Sequence, residues 1–203
     1  MHKILLLFSV LVFTEVNCQS LNESVISFWD AIERKDDKKI IFHGLNVIDS
    51  ASYYNTYDSS IIEVRLYTAL SFSNIGEYEK ALNINQKTLD LILKNWSDNK
   101  MYYTICSNNI ATIYSRLGEY SNAIISLMNI LSQFNTDEKE NIIYATCLNN
   151  ISVLYLQTQD FDSSIIYGKE SLQLREKLNG KGNVGYVQSL NNIASAYSKM
   201  GEY

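Results

Sequence analysis

The sequence predicts an all-α fold made of stacked antiparallel helix pairs. Three observations carry that expectation. Proline is absent from the 203 residues and glycine is scarce, at eight, so little interrupts a helix. Hydrophobic residues make up 46% and charged residues 19%, enough to bury a core and too apolar for a disordered chain. A short pattern also recurs at a nearly fixed interval, the mark of a repeat architecture.

The N-terminus comes first. Met1-His2-Lys3 is a short basic start, and Ile4 to Phe13 is a ten-residue apolar run that turns polar at Thr14. With Val16 and Cys18 at −3 and −1, these features describe a secretory signal peptide over residues 1–18, cleaved after Cys18. The run is too short for a bilayer of about 30 Å, which takes roughly 20 residues. Two other readings stay open: a buried first helix, and a lipid-attachment cysteine at Cys18. Against the second, Glu15 and Asn17 stand where bacterial lipid sites carry Leu and a small residue.

Residues 19–58 read as a degenerate N-terminal repeat serving as a cap. Helical patterning covers 21–34 and 37–52 around a polar turn, and Arg34 stands 42 residues before Gly76, where a glycine is expected. Ser50 to Ser60 is a linker, in which Tyr53, Tyr54 and Tyr57 form a candidate contact patch.

The repeat fills residues 59–203. Gly76-Glu77-Tyr78, Gly118-Glu119-Tyr120, Gln159-Asp160-Phe161 and Gly201-Glu202-Tyr203 follow one another at spacings of 42, 41 and 42. An aromatic stands four residues before each, at Phe72, Tyr114, Tyr155 and Tyr197. A small residue stands seven before, at Ala69, Ala111, Ser152 and Ala194, and another five after, at Ala81, Ala123 and Ser164. Small residues let two helices approach, the aromatics fill the space beside them, and the glycine ends the first helix. Each unit is thus helix A, a tight turn and helix B. One unit cannot bury its apolar face alone, so neighbours stack.

This pattern resembles the tetratricopeptide repeat, which places a small residue, Tyr, Gly, an aromatic and Ala at these offsets. The long period is similar to the variant of kinesin light chains and many bacterial sensor and regulator proteins. Ser171 to Leu178 followed by Leu190 to Tyr197 is the stretch most like that subtype. The resemblance implies a right-handed α-solenoid with repeats at about 59–100, 101–142 and 143–184, and a partial repeat at 185–203. Gly201-Glu202-Tyr203 is expected to lead into a further helix B, so the segment reads as part of a longer array.

Candidate site residues lie on helix A, which the resemblance places on the concave side. Asparagine pairs stand at equivalent places: Asn108-Asn109, Asn149-Asn150 and Asn191-Asn192, with Leu66-Tyr67 in the first repeat. Asparagine is a poor mid-helix residue, so three pairs in one column need a reason. An amide offers both donor and acceptor, and the resemblance implies that the second asparagine contacts a ligand backbone or terminal carboxylate. The competing reading is that one asparagine of each pair bonds the neighbouring repeat. Arg116 and Lys199 are the cations one turn further on, too few for a developed carboxylate clamp.

Other chemistry is thin. With His2 and His43 the only histidines, multi-histidine metal sites and most histidine-dependent triads are excluded. A net charge of −5 without a basic cluster argues against nucleic acid as partner. Cys106 and Cys147 share a column and read as small core residues rather than a disulfide, because equivalent helices sit about 10 Å apart and a disulfide needs roughly 7 Å or less. Asn22-Glu-Ser and Asn95-Trp-Ser fit a glycosylation pattern. No catalytic constellation and no cofactor site is visible. The expected function is an exported, non-enzymatic scaffold binding a peptide or protein segment, with membrane contact only through a lipid anchor or a downstream segment. The alternative is the N-terminal sensory region of a membrane-bound signalling protein such as a histidine kinase, its catalytic part beyond residue 203.

Overall fold

The computed structural model describes residues 15–53, 59–95, 99–135 and 141–201. Among these residues all regular structure is α-helical. The helices are α1 (Glu15–Glu33), α2 (Asp37–Tyr53), α3 (Ser59–Asn74), α4 (Tyr78–Asn95), α5 (Lys100–Arg116), α6 (Tyr120–Ser132), α7 (Ile142–Gln157), α8 (Phe161–Asn179) and α9 (Val184–Met200). The apolar signal-peptide run and Tyr54 and Tyr57 lie outside the described residues, and of Cys18 only helical backbone is described.

The turns from helix A to helix B share one mechanism. A left-handed residue follows each helix A: Gly76 at φ 84°, Gly118 at 78°, Gln159 at 63° and Gly201 at 78°. At Gly118, its own N–H donates to the Ser115 carbonyl at 3.1 Å and the Glu119 N–H to the Tyr114 carbonyl at 2.8 Å, the paired bonds of a Schellman motif. The helix then restarts on a side-chain cap where one is available. Asp160 accepts from the Ser163 N–H, and Asn141 and Asn183 do the same at α7 and α9. Such caps contribute about 1 kcal/mol each.

The chain divides into two compact units within α5, between Cys106 and Ser107. In the first unit the N-terminal helix pair turns on the same left-handed geometry as the later pairs. Its left-handed residue is Lys35, at φ 55°, not Arg34 as the spacing suggested, which puts it 41 residues before Gly76. In that register Phe28 occupies the small-residue place and Ala31 the aromatic place, and both are buried. The exchange of volumes is absorbed by Gly44, where an added Cβ would lie 2.0 Å from Thr68 Oγ1 and 3.0 Å from the Phe28 ring. Phe28, Ala31, Ile40, Val47, Ile48 and Val64 form the core. In the next pair, the expected contact of Ala69 and Ala81 is fully buried.

In the second unit Ala111 and Ala123 are buried likewise. The third repeat replaces that alanine pair by Ser152 and Ser164, both fully buried. Each hydroxyl donates to the other residue's carbonyl, at 2.7 and 2.9 Å, so two polar groups enter the helix contact satisfied. Leu127, Ile130, Leu148 and Ile151 fill the core beside them. On α9 the equivalent Ala194 is exposed.

Candidate functional site

The asparagine pairs of the second unit are joined diagonally. Asn150 Nδ2 donates to Asn108 Oδ1 at 2.9 Å, and Asn192 Nδ2 donates to Asn149 Oδ1 at 3.1 Å. In both rungs the second asparagine of one repeat donates to the first asparagine of the repeat before it. A third rung obeys the same offset two turns on, where Ser115 Oγ donates to Gln157 Oε1 at 3.2 Å. Helix A of one repeat therefore faces its predecessor displaced by one residue.

Asn149 is the most deeply held. Its Oδ1 also accepts from Ser189 Oγ at 3.0 Å, and the neighbouring Ser171 Oγ donates to the Ala145 carbonyl at 2.7 Å. Asn109 is half-buried and Asn191 exposed, and neither side-chain amide has a partner among the described residues. Arg116 is exposed at the end of α5. Tyr67 belongs to the first unit, where it is 40% exposed and packs edge-on to Trp29 at 5.9 Å.

Between the Asn108–Asn150 and Ser115–Gln157 rungs lies a pocket of about 170 Å³. Ala111, Leu127, Val153 and Leu154 line it together with Thr112, Ser115, Asn108 and Asn150. The rung between the two asparagines leaves Asn108 Nδ2 and Asn150 Oδ1 without a partner among the described residues, one donor and one acceptor beside an apolar hole. The helix-A segments of this unit, residues 107–116, 142–157 and 184–200, contain no Asp or Glu.

Elsewhere the chemistry is quiet. Cys106 and Cys147 are buried and outside any disulfide, and Cys106 Sγ donates to the Asn85 carbonyl at 3.1 Å. Burial pushes both thiols up to about 12, with the Asp90 charge adding at Cys106, so neither is a nucleophile at neutral pH. No group of three or more metal-ligating side chains occurs among the described residues, and none of their helices is long and apolar enough to cross a membrane. Sequence reasoning missed Arg175, which is 4% exposed. It donates to the Gly185 carbonyl, to Gln188 Oε1 and to Thr146 Oγ1. The signal for it is positional: sixteen residues after the turn, the other repeats carry Ile92 and Phe134.

These features define a helical-repeat scaffold whose side chains are arranged for hydrogen bonding and packing. The chain belongs to the tetratricopeptide repeat family, whose model matches residues 103–177 and 144–203. Among solved structures, a Podosopora anserina kinesin-light-chain protein with nearly identical TPR-like repeats is similar at 13% identity and TM-score 0.71, over 90% of this chain and 88% of that one. The apo form of RapI is similar at 17% identity and TM-score 0.70, over 94% and 72%. The apo form of the quorum sensor NprR from B. thuringiensis is similar at 17% and TM-score 0.68, over 85% and 46%. No curated protein sequence matches the chain.

Proposed function

We propose that this chain is an exported, non-catalytic interaction module that binds an extended peptide segment across the helix-A face of its second unit. The observation that carries the reading is the unpartnered Asn150 Oδ1, held by its rung beside an apolar pocket between two rungs. A peptide backbone N–H supplies the complementary donor, and a medium-sized apolar side chain suits the hole. The lack of carboxylates on that face favours a neutral or acidic segment. That a quorum sensor shares this fold is consistent with a role in sensing. The signal-peptide pattern supports export, with Gln19 as the mature N-terminus.

Two measurements test this. Random decapeptides displayed on phage are selected on the full chain, and the best is titrated as a synthetic peptide. Asn109→Ala, which breaks no rung, should weaken it about tenfold or more, since a lost hydrogen bond at a desolvated contact costs about 1–3 kcal/mol, with the melting temperature unchanged. Binding indifferent to both Asn109→Ala and Asn150→Ala would overturn the reading. For export, N-terminal sequencing of secreted protein should begin at Gln19 or within two residues, and intact Met1 on cytoplasmic protein would contradict it.

A further inference from the structure

The two asparagine rungs share a polarity. In each, the first asparagine supplies its carbonyl oxygen and the next repeat's second asparagine supplies an N–H. Asn149 Oδ1 is fixed in that role by a second donor, Ser189 Oγ. Once Asn150 Nδ2 is committed to Asn108, its Oδ1 is turned away from that bond. The same holds for Asn192 against Asn149. A free asparagine amide can rotate to offer either group; these two cannot rotate without breaking a bond.

We infer that Asn108 and Asn149 are positioning residues. Each acts from the preceding repeat to lock the amide of Asn150 or Asn192, so that the face presents carbonyl oxygens in fixed directions and selects a ligand whose backbone N–H groups match them. This rests on the peptide-binding reading above and deepens it: the unit of recognition is the amide pair shared by two repeats, not one repeat's asparagine. Rotamer freedom removed beforehand is freedom the ligand need not quench on binding. Asn109 has no such rung and is the internal comparison.

The test has a ligand-free arm and a binding arm. In ¹⁵N NMR of the full chain without peptide, the side-chain amides of Asn150 and Asn192 should be rigid and slow to exchange, and that of Asn109 mobile. Asn108→Ala should free Asn150 alone and weaken the phage-selected peptide about tenfold. Asn108→Asp keeps the acceptor, so Asn150 should stay rigid and affinity should stay within about twofold. An Asn150 amide as mobile as Asn109 in the unmodified chain would overturn the inference without touching the peptide reading. So would an Asn108→Asp variant that binds as poorly as Asn108→Ala, because Asn108 would then touch the ligand itself. A rigid, rung-dependent Asn150 together with peptide binding that ignores Asn150→Ala would overturn the peptide reading, and this inference with it.

Discussion

Replacing Arg175 by methionine should stabilise the protein. The side chain is 4% exposed, its Nε has no hydrogen-bond partner, and burial pulls the guanidinium pKa down. No described carboxylate pairs with it, so the desolvation cost of a charge, several kcal/mol in real proteins, is offset only by three neutral acceptors. Two of those contacts are 3.4 Å long and weak at that length. None of the acceptors is stranded by the change. Thr146 Oγ1 still donates to the Ile142 carbonyl at 2.8 Å, the Gly185 carbonyl lies inside α9, and Gln188 is exposed to water. Methionine is flexible enough to refill the space. The net gain is about 1–3 kcal/mol, or roughly 2–4 °C in melting temperature per kcal/mol for a chain of this size. Thermal and urea unfolding followed by circular dichroism would read it. Arg175→Ala is the control: its cavity should cost about 2–4 kcal/mol. If methionine lowered the midpoint as alanine does, the guanidinium's hydrogen bonds would outweigh its desolvation and the reasoning would fail.

Three further outcomes follow from the packing. Gly44→Ala, a change that adds up to about 1 kcal/mol in an exposed helix, should instead cost about 1–3 kcal/mol, because the new Cβ meets Thr68 Oγ1 at 2.0 Å; Thr68→Ala in the same chain should recover most of it in urea unfolding. Ser164→Ala alone should cost about 1–2 kcal/mol, but the Ser152→Ala/Ser164→Ala pair should cost less than the sum of the singles, since it restores the alanine contact of the sister repeats; an additive double-mutant cycle would count against the reciprocal bonds. Cys106 and Cys147 should resist thiol reagents at neutral pH until urea is added. Their folded pKa values, raised from 9.0 to about 12, favour the folded state fully below about pH 9, and that stability should drain away toward about pH 12.

Most of the fold was legible because tetratricopeptide packing is written in residue volume. Small residues seven before and five after the turn must meet, and the sequence keeps them small. The first repeat escaped that reading because it conserves total volume rather than each place. Phe28 and Ala31 exchange sizes, and Gly44 absorbs the difference from the opposite helix. A column-by-column comparison sees separate mismatches where the packing sees one compensated core. Lys35 hides the turn for a related reason: a left-handed φ of 55° is adopted most easily by glycine, but a few other residues tolerate it when the helices on both sides fix the turn.

The candidate site was legible in composition but not in connection. Reading down a column pairs Asn108 with Asn149 and Asn150 with Asn192, and then one must ask whether each column faces a ligand or a neighbour. The structure joins the columns diagonally, Asn108 to Asn150 and Asn149 to Asn192. With that offset the two readings stop competing, because a side-chain amide has more hydrogen-bonding capacity than one bond uses. The first asparagine spends its oxygen on the next repeat, and the second spends one N–H and keeps its oxygen. The same one-residue displacement joins Ser115 to Gln157, a pair that no single column contains. Its cause lies in the helices: successive first helices stack with a constant offset, and the offset decides which residue meets which. Periodicity alone reports the interval between repeats and is silent about that offset. Asn109→Ala and Asn108→Ala should therefore behave differently, the first affecting ligand affinity alone and the second affinity together with the mobility of an amide in another repeat.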